Sequence, residues 1–177
     1  MLKSLVLFLL FILPLSAKAS ILVEPLIGHN FGAKFGDLKA SGLSYGGKLG
    51  FQSEGGFQIG AEYLKSTFKI NDDEVFNNDL KMTEMGAFIG YKTDVFKIYV
   101  GLVFSAEGET EVVDGQKVTF EEGAGNKIGI GFTGLKYVHV NLEYRQGKFD
   151  EIKLSNVPVG SDKYSSLMLS LSIPLTL

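Results

Sequence analysis

Few side chains here could do chemistry at neutral pH: the 177 residues include two histidines and no cysteine. His139 precedes Asn141, Glu143 and Arg145 at two-residue steps, a spacing that puts all four on one face of a strand. An imidazole beside a carboxylate and a guanidinium can relay a proton or bind a ligand. Packed in a polar interior, the same set is a hydrogen-bonded brace, and we read it so. His29 lies on the opposite parity, near the end of the first periodic segment. Were the first and last strands of a closed sheet to pair, Ser165 would become its neighbour. A Ser–His pair is what an acyl hydrolase needs, but no carboxylate shares that face to orient the imidazole, so no catalytic residue is expected. Asn71-Asp72-Asp73-Glu74 with Asn77, Asn78 and Asp79 offers oxygen ligands for calcium. It lacks the glycine and the terminal glutamate of an EF-hand loop and reads as a solvated acidic loop. Gly55-Gly56 and Gly123-x-Gly125 have no strand–helix context for phosphate. Neither metal nor cofactor is expected.

The elements that position these residues are strands. In Lys127–Gln146, Ile128, Ile130 and Phe132 alternate with Lys127, Gly129 and Gly131. After Thr133-Gly134-Leu135, Val138, Val140, Leu142 and Tyr144 alternate with His139, Asn141, Glu143 and Arg145, which predicts a tight hairpin. Six similar segments flank this hairpin, giving eight in all: Leu22–Phe31, Leu43–Gln52, Phe57–Thr67, Lys81–Tyr91, Phe96–Ala106, Thr119–Phe132, Lys136–Gln146 and Tyr164–Thr176. Short turns alternate with longer polar connections at Gly32–Gly42, Phe68–Leu80, Glu107–Val118 and Gly147–Lys163. An up-and-down order then gathers the turns at one end and the long loops at the other.

Composition sets limits. Lys3, the nine-residue apolar run Leu5–Leu13 and Ala17-Lys18-Ala19 form the three parts of a secretory signal peptide over residues 1–19, with cleavage expected between Ala19 and Ser20. Residues 20–177 are then one domain. Without Lys3 and Lys18 the chain carries 15 basic against 20 acidic residues, a net charge of −5 that excludes a nucleic-acid role. No later apolar run is long enough for a membrane-spanning helix.

The two parities decide orientation. One carries ten glycines and the charges Glu24, Lys48, Glu62, Glu84, Lys97, Lys127, Glu143 and Arg145 with His139, and the eight charges cancel. The other is apolar. An eight-stranded barrel has an interior just filled by side chains. Glycine and polar groups fit it, whereas about thirty large apolar residues would overfill it. The apolar face must point outward, toward lipid. Its aromatics fall at two levels: Phe51, Phe57, Tyr91, Phe96 and Phe132 by the short turns, and Phe31, Tyr45, Tyr63, Phe104, Phe120 and Tyr144 toward the long loops. Phe96 and Phe104 would stand roughly 20 Å apart along the membrane normal. We expect two aromatic girdles. A soluble carrier barrel, with the faces reversed, is the alternative.

In strand count, loop asymmetry and girdles, and in Glu24–Gly32, Gly86–Lys92 and Val138–Arg145, the chain resembles the small outer-membrane β-barrels of Gram-negative bacteria, the group of OmpX and the OmpA membrane domain. The alternating last strand, ending in Leu177, is similar to the signal read by the barrel-assembly machinery. The resemblance implies an all-β, eight-stranded antiparallel barrel with both termini periplasmic, in contact with outer-membrane lipid and lipopolysaccharide. It implies a non-enzymatic anchor for four surface loops, serving adhesion, envelope integrity or partner binding. Two other functions are to be tested: an outer-leaflet lipid hydrolase using His29 and Ser165, and a narrow conductance gated by Glu62, Glu84, Lys97 and Arg145.

Overall fold

The computed structural model describes residues 19–70, 79–111, 117–155 and 157–177. The expected signal peptide lies outside them, apart from Ala19, as does the acidic loop except Asp79. Eight long strands follow in order: β1 (Ala19–Phe35), β2 (Leu38–Ser53), β3 (Phe57–Ile70), β4 (Leu80–Lys92), β5 (Phe96–Glu111), β6 (Lys117–Phe132), β7 (His139–Leu154) and β8 (Val157–Ser172). A two-residue β9 (Leu175–Thr176) resumes the β8 ladder against β1 after Pro174, which has no N–H to donate. Each strand pairs antiparallel with the next, and β8 pairs with β1, so the sheet is closed. Closure removes the edges that a sheet in lipid could not satisfy.

The strands run 13 to 17 residues, well beyond the 9–11 or so that cross a bilayer. Of the polar connections expected to be long loops, Gly32–Gly42 and Gly147–Lys163 are mostly strand, and β3, β5 and β6 run into the other two. β1 and β2 meet across Gly36-Asp37, and β7 and β8 run on to Leu154 and from Val157. Their strand character is hidden in the sequence because their alternation inverts. Ala33, Phe35, Ala40, Phe68, Ile70 and Phe149 point inward, while Lys34, Lys39, Lys69 and Lys148 point out. The barrel thus has two stories. The one beside the short turns is polar inside and apolar outside, and the distal one is apolar inside and polar outside.

Two local departures follow. β7 begins at His139, so the β6–β7 connection spans Thr133–Val138 instead of three residues. Thr133 peels from the ladder to brace the neighbouring turn: its N–H donates to Val95 O (2.8 Å) and its hydroxyl to Thr93 O (3.0 Å). Phe120, expected in the distal girdle, is buried at 6% exposure. Between the pairs Ala106↔Gly123 and Gly108↔Phe120, β6 carries one residue more than β5, with Glu122 at φ 53°, and this bulge reverses the parity of β6 distal to it.

Candidate functional site

The interior is built in tiers. Glycine makes room for its large side chains: a Cβ on Gly129 would fall within the Tyr99 ring, and one on Gly131 would meet Asn141 and Lys97. The nine interior residues singled out from sequence, Glu24, Lys48, Glu62, Glu84, Lys97, Lys127, His139, Glu143 and Arg145, are all buried and face one another across the lumen.

Nearest the short turns, Glu24 forms an ion pair with Lys97, accepts from Ser172 Oγ at 2.5 Å and lies 3.3 Å from His139 Nδ1. Asn141 Nδ2 donates to the Ser172 hydroxyl at 2.9 Å. Serine, histidine and glutamate therefore meet, but the serine hydroxyl bonds the carboxylate rather than the imidazole. The imidazole is not positioned to take its proton, and the group is sealed from solvent. In the middle tier Lys127 pairs with Glu62, and Lys48 stands 3.4 Å from the other Glu62 oxygen. Both lysines flank Glu143 Oε2, at 3.9 Å for Lys48 and 3.7 Å for Lys127. The Lys48 ammonium also sits 3.6 Å over the Tyr99 ring, a cation–π contact. Above, Arg145 bridges two carboxylates: Nε donates to Glu143 Oε1, and Nη1 donates to Glu84 Oε2 at 2.8 Å. Four carboxylates meet four cations, so the buried tiers are neutral as a set, as charges removed from water must be.

Over the ions lies an apolar layer that the parity argument missed. Phe35, Phe68, Phe120, Phe149 and Tyr164 stack at centroid separations of 4.9 to 6.4 Å, with Leu80 and Met82 beside them. Leu22, Leu64, Phe88 and Met168 are likewise interior. The only sequence signal for this layer was apolar residues on the opposite parity within apparently polar loops.

On the outside, Phe31, Tyr45, Phe51, Phe57, Tyr63, Tyr91, Phe96, Phe104, Phe132 and Tyr144 are all exposed, with Ile27, Leu49, Ile98, Leu102, Ile128 and Leu171 between them. A closed apolar band of this extent has no stable exposure to water. The fold is that of the small outer-membrane β-barrels. Neisserial surface protein A (NspA) superimposes with a TM-score of 0.57 at 17% identity, over 88% of this chain and 97% of that one. Ail, the attachment invasion locus protein of Yersinia pestis, gives 0.55 at 10% identity, over 89% and 98%. No protein-family model and no curated protein matches the sequence. The apolar band and this architecture together place the protein in the bacterial outer membrane as an integral barrel.

The hydrolase pair does not form. His29 is exposed on the outer face opposite Leu169, whereas Ser165 stands opposite Lys34. The two lie four positions apart along β8, roughly 13 Å. Among the described residues no group of histidines and carboxylates is arranged to hold a metal.

Proposed function

We propose that this protein is a non-enzymatic display barrel that docks a protein partner through the distal hairpin of β7 and β8. The supporting observation is the uneven height of the rim. The β1–β2 hairpin ends at Gly36-Asp37, and the β1–β8 ladder ends with it at Phe35↔Tyr164. β8 continues for six more residues, Val157–Asp162, about 20 Å of strand held only by β7. At its tip Val157 and Val159 are 62% and 60% exposed. Two β-branched apolar residues on a hydrogen-bonded hairpin, clear of the lipid band, form a preorganised contact surface. Pro158 between them blunts indiscriminate edge pairing, which leaves side-chain docking as the mode of recognition.

Among the described residues no workable catalytic constellation is assembled, which supports the same reading. His139 is locked to Glu24 inside the barrel, and His29 faces lipid without an acid or a nucleophile. The test embeds the wild type and V157S/V159S in nanodiscs and probes both against a panel of secreted and surface proteins. Heat-modifiable gel mobility verifies that both are folded. A ligand held by the wild type and released by the variant supports the reading. Ligands held equally by both, or hydrolysis of outer-leaflet lipid lost in H29A, overturn it.

A further inference from the structure

Charge is unevenly divided around the outer wall above the lipid band. On the β1–β2 hairpin Lys34 and Lys39 stand directly opposite each other, both exposed. Among the described residues neither ammonium forms an ion pair with a carboxylate. On β5 and β6 the bulge between the pairs Ala106↔Gly123 and Gly108↔Phe120 sets Glu107 against Glu121 and Glu122. Lys153 meets Glu121 at 2.6 Å, whereas Glu107 and Glu122 are exposed and form no ion pair among the described residues. These two carboxylates line a depression of about 570 Å³, with Lys65 and Lys81 on its β3–β4 side. Like charges set side by side destabilise a sheet. The lysine pair and the glutamate pair are of opposite sign, and neither is matched within its own wall.

In a closed ring of eight strands, β5–β6 lies diametrically across from β1–β2. The two walls also agree in height. The ladder row that leaves β1 at Val23 passes Leu102 and Asn126 and regains β1 at Lys34. At about 3.3 Å per residue and about 40° of tilt, that row climbs roughly 3.5 Å per strand. Asn126 on β6 then lies within roughly 2 Å of the height of His29 on β1, and both are exposed polar side chains on the outer face. Glu107 and Glu122 lie within roughly 4 Å of the height of Lys34. Lipid solvates an apolar wall as well as another barrel would, so apolar contact alone does not drive barrels together, whereas outward polar groups can.

We infer that copies of this protein associate side by side in the membrane, the β1–β2 wall of one against the β5–β6 wall of the next. Lys34 and Lys39 enter the acidic depression, and His29 hydrogen-bonds Asn126. Below them the apolar faces, Ile27 and Leu49 on one wall and Val100 and Leu102 on the other, meet in place of intervening lipid. Because the two surfaces differ and lie on opposite walls, the contact is heterologous and does not close, so the copies line up in rows.

The chain has no cysteine, so introduced ones are the only thiols. L43C and L102C place one on each wall, at exposed positions. Full-length protein carrying either is reconstituted in phospholipid vesicles, alone or as an equal mixture, and oxidised with copper phenanthroline. The mixture should form disulfide dimers about tenfold faster than either variant alone. L43C/L102C should run as a ladder beyond dimers. A61C mixed with L142C, on the lateral walls of β3 and β7, should give only the slow rate. E107K/E122K, added to both partners, sets like charges face to face and should lower the mixed rate about tenfold. K34E/K39E/E107K/E122K, which exchanges the charges of the two walls, should restore it. Equal rates in all samples would mean random collision of walls that face only lipid, and overturn the interface. So would disulfides of L43C or L102C with itself that outpace the mixed ones, a double variant that stops at dimers, or a mixed rate that ignores charge reversal. The comparison of mixed with single samples decides the matter even if the charge variants fail to fold.

Discussion

The Tyr164 hydroxyl donates to Glu84 Oε1 at 3.2 Å while its ring packs 4.9 Å from that of Phe149. One side chain therefore joins the apolar distal core to the ion network beneath it. Removing only the hydroxyl, in Y164F, should cost about 1.5–3 kcal/mol, the range for a hydrogen bond to a charged group. Y164A also opens a cavity in the aromatic cluster and should cost about 3–5 kcal/mol. Urea unfolding in lipid bilayers would measure both. Equal losses would show that the ring carries none of the packing.

The buried ions couple strands far apart in sequence. Lys97 and Glu24 lie 73 residues apart and meet across the lumen. Breaking a buried pair by removing one partner strands the other charge, so K97M should destabilise by about 3–5 kcal/mol. K97M/E24Q, which leaves no stranded charge, should recover most of that loss. If the double variant is as unstable as the sum of the single ones, the pair is not the source of the effect.

Gly129 and Tyr99 share one volume in the wall, since a Cβ on the glycine would enter the ring. G129A should cost about 1–3 kcal/mol by overpacking. Most of that penalty should vanish when measured against Y99A, where the ring is gone. A G129A penalty unchanged by Y99A would point to the backbone instead.

Much of this arrangement was legible in the sequence, and the limits have a common physical cause. Lipid demands apolar residues outward and leaves polar ones inward, so Glu24, Lys48 and Arg145 could be assigned to the interior by parity alone. Above the lipid the requirement reverses, and Phe35, Phe68 and Phe149 took the inner positions of strands that read as loops. Phe120 was misplaced because the bulge beside it is made by Glu121 and Glu122, with no glycine to announce a positive φ. The ion pairs were illegible for another reason. Which charges meet across a barrel depends on its stagger, and a list of strands does not contain that.

The distal strand ends should loosen at both extremes of pH. Hydrogen bonding from Lys153 holds the Glu121 carboxyl below the ordinary glutamate value, and Lys117 does the same for Glu109. A lowered carboxylate pKa favours the folded form above the ordinary value, and this contribution is lost as pH falls through the folded one. The hydrogen bond to Glu121 raises Lys153, whose contribution holds below the ordinary lysine value and disappears as pH rises past the folded one. Amide exchange of β6 and β7 beyond Gly123 should accelerate, relative to the membrane band, below the ordinary glutamate pKa and above the ordinary lysine pKa. E121Q should abolish most of the acid-side difference between these strands. Exchange that changes uniformly along β6 and β7 would mean that the pairs do not hold the tips.

Conductance meets two barriers in series. Along the axis an ion must first part Glu24, Lys97, Glu62 and Lys127, then pass between Phe35, Phe120, Phe149 and Tyr164, which pack ring against ring. The first barrier is electrostatic and could open by exchanging partners, because Lys48 and Lys127 each lie within 4 Å of two carboxylates. The second has no charges to exchange and opens only if the rings move out of a packed core. Planar-bilayer recordings of the wild type should therefore show no discrete steps, and R145A should show none either, since it disturbs only the first barrier. F120A/F149A should also stay silent, because the ion tier still blocks the lumen. Only the combination of R145A with F120A/F149A should conduct. Discrete wild-type steps that change when Arg145 is neutralised would show instead that the ion tier alone is the gate and that the aromatic layer does not seal.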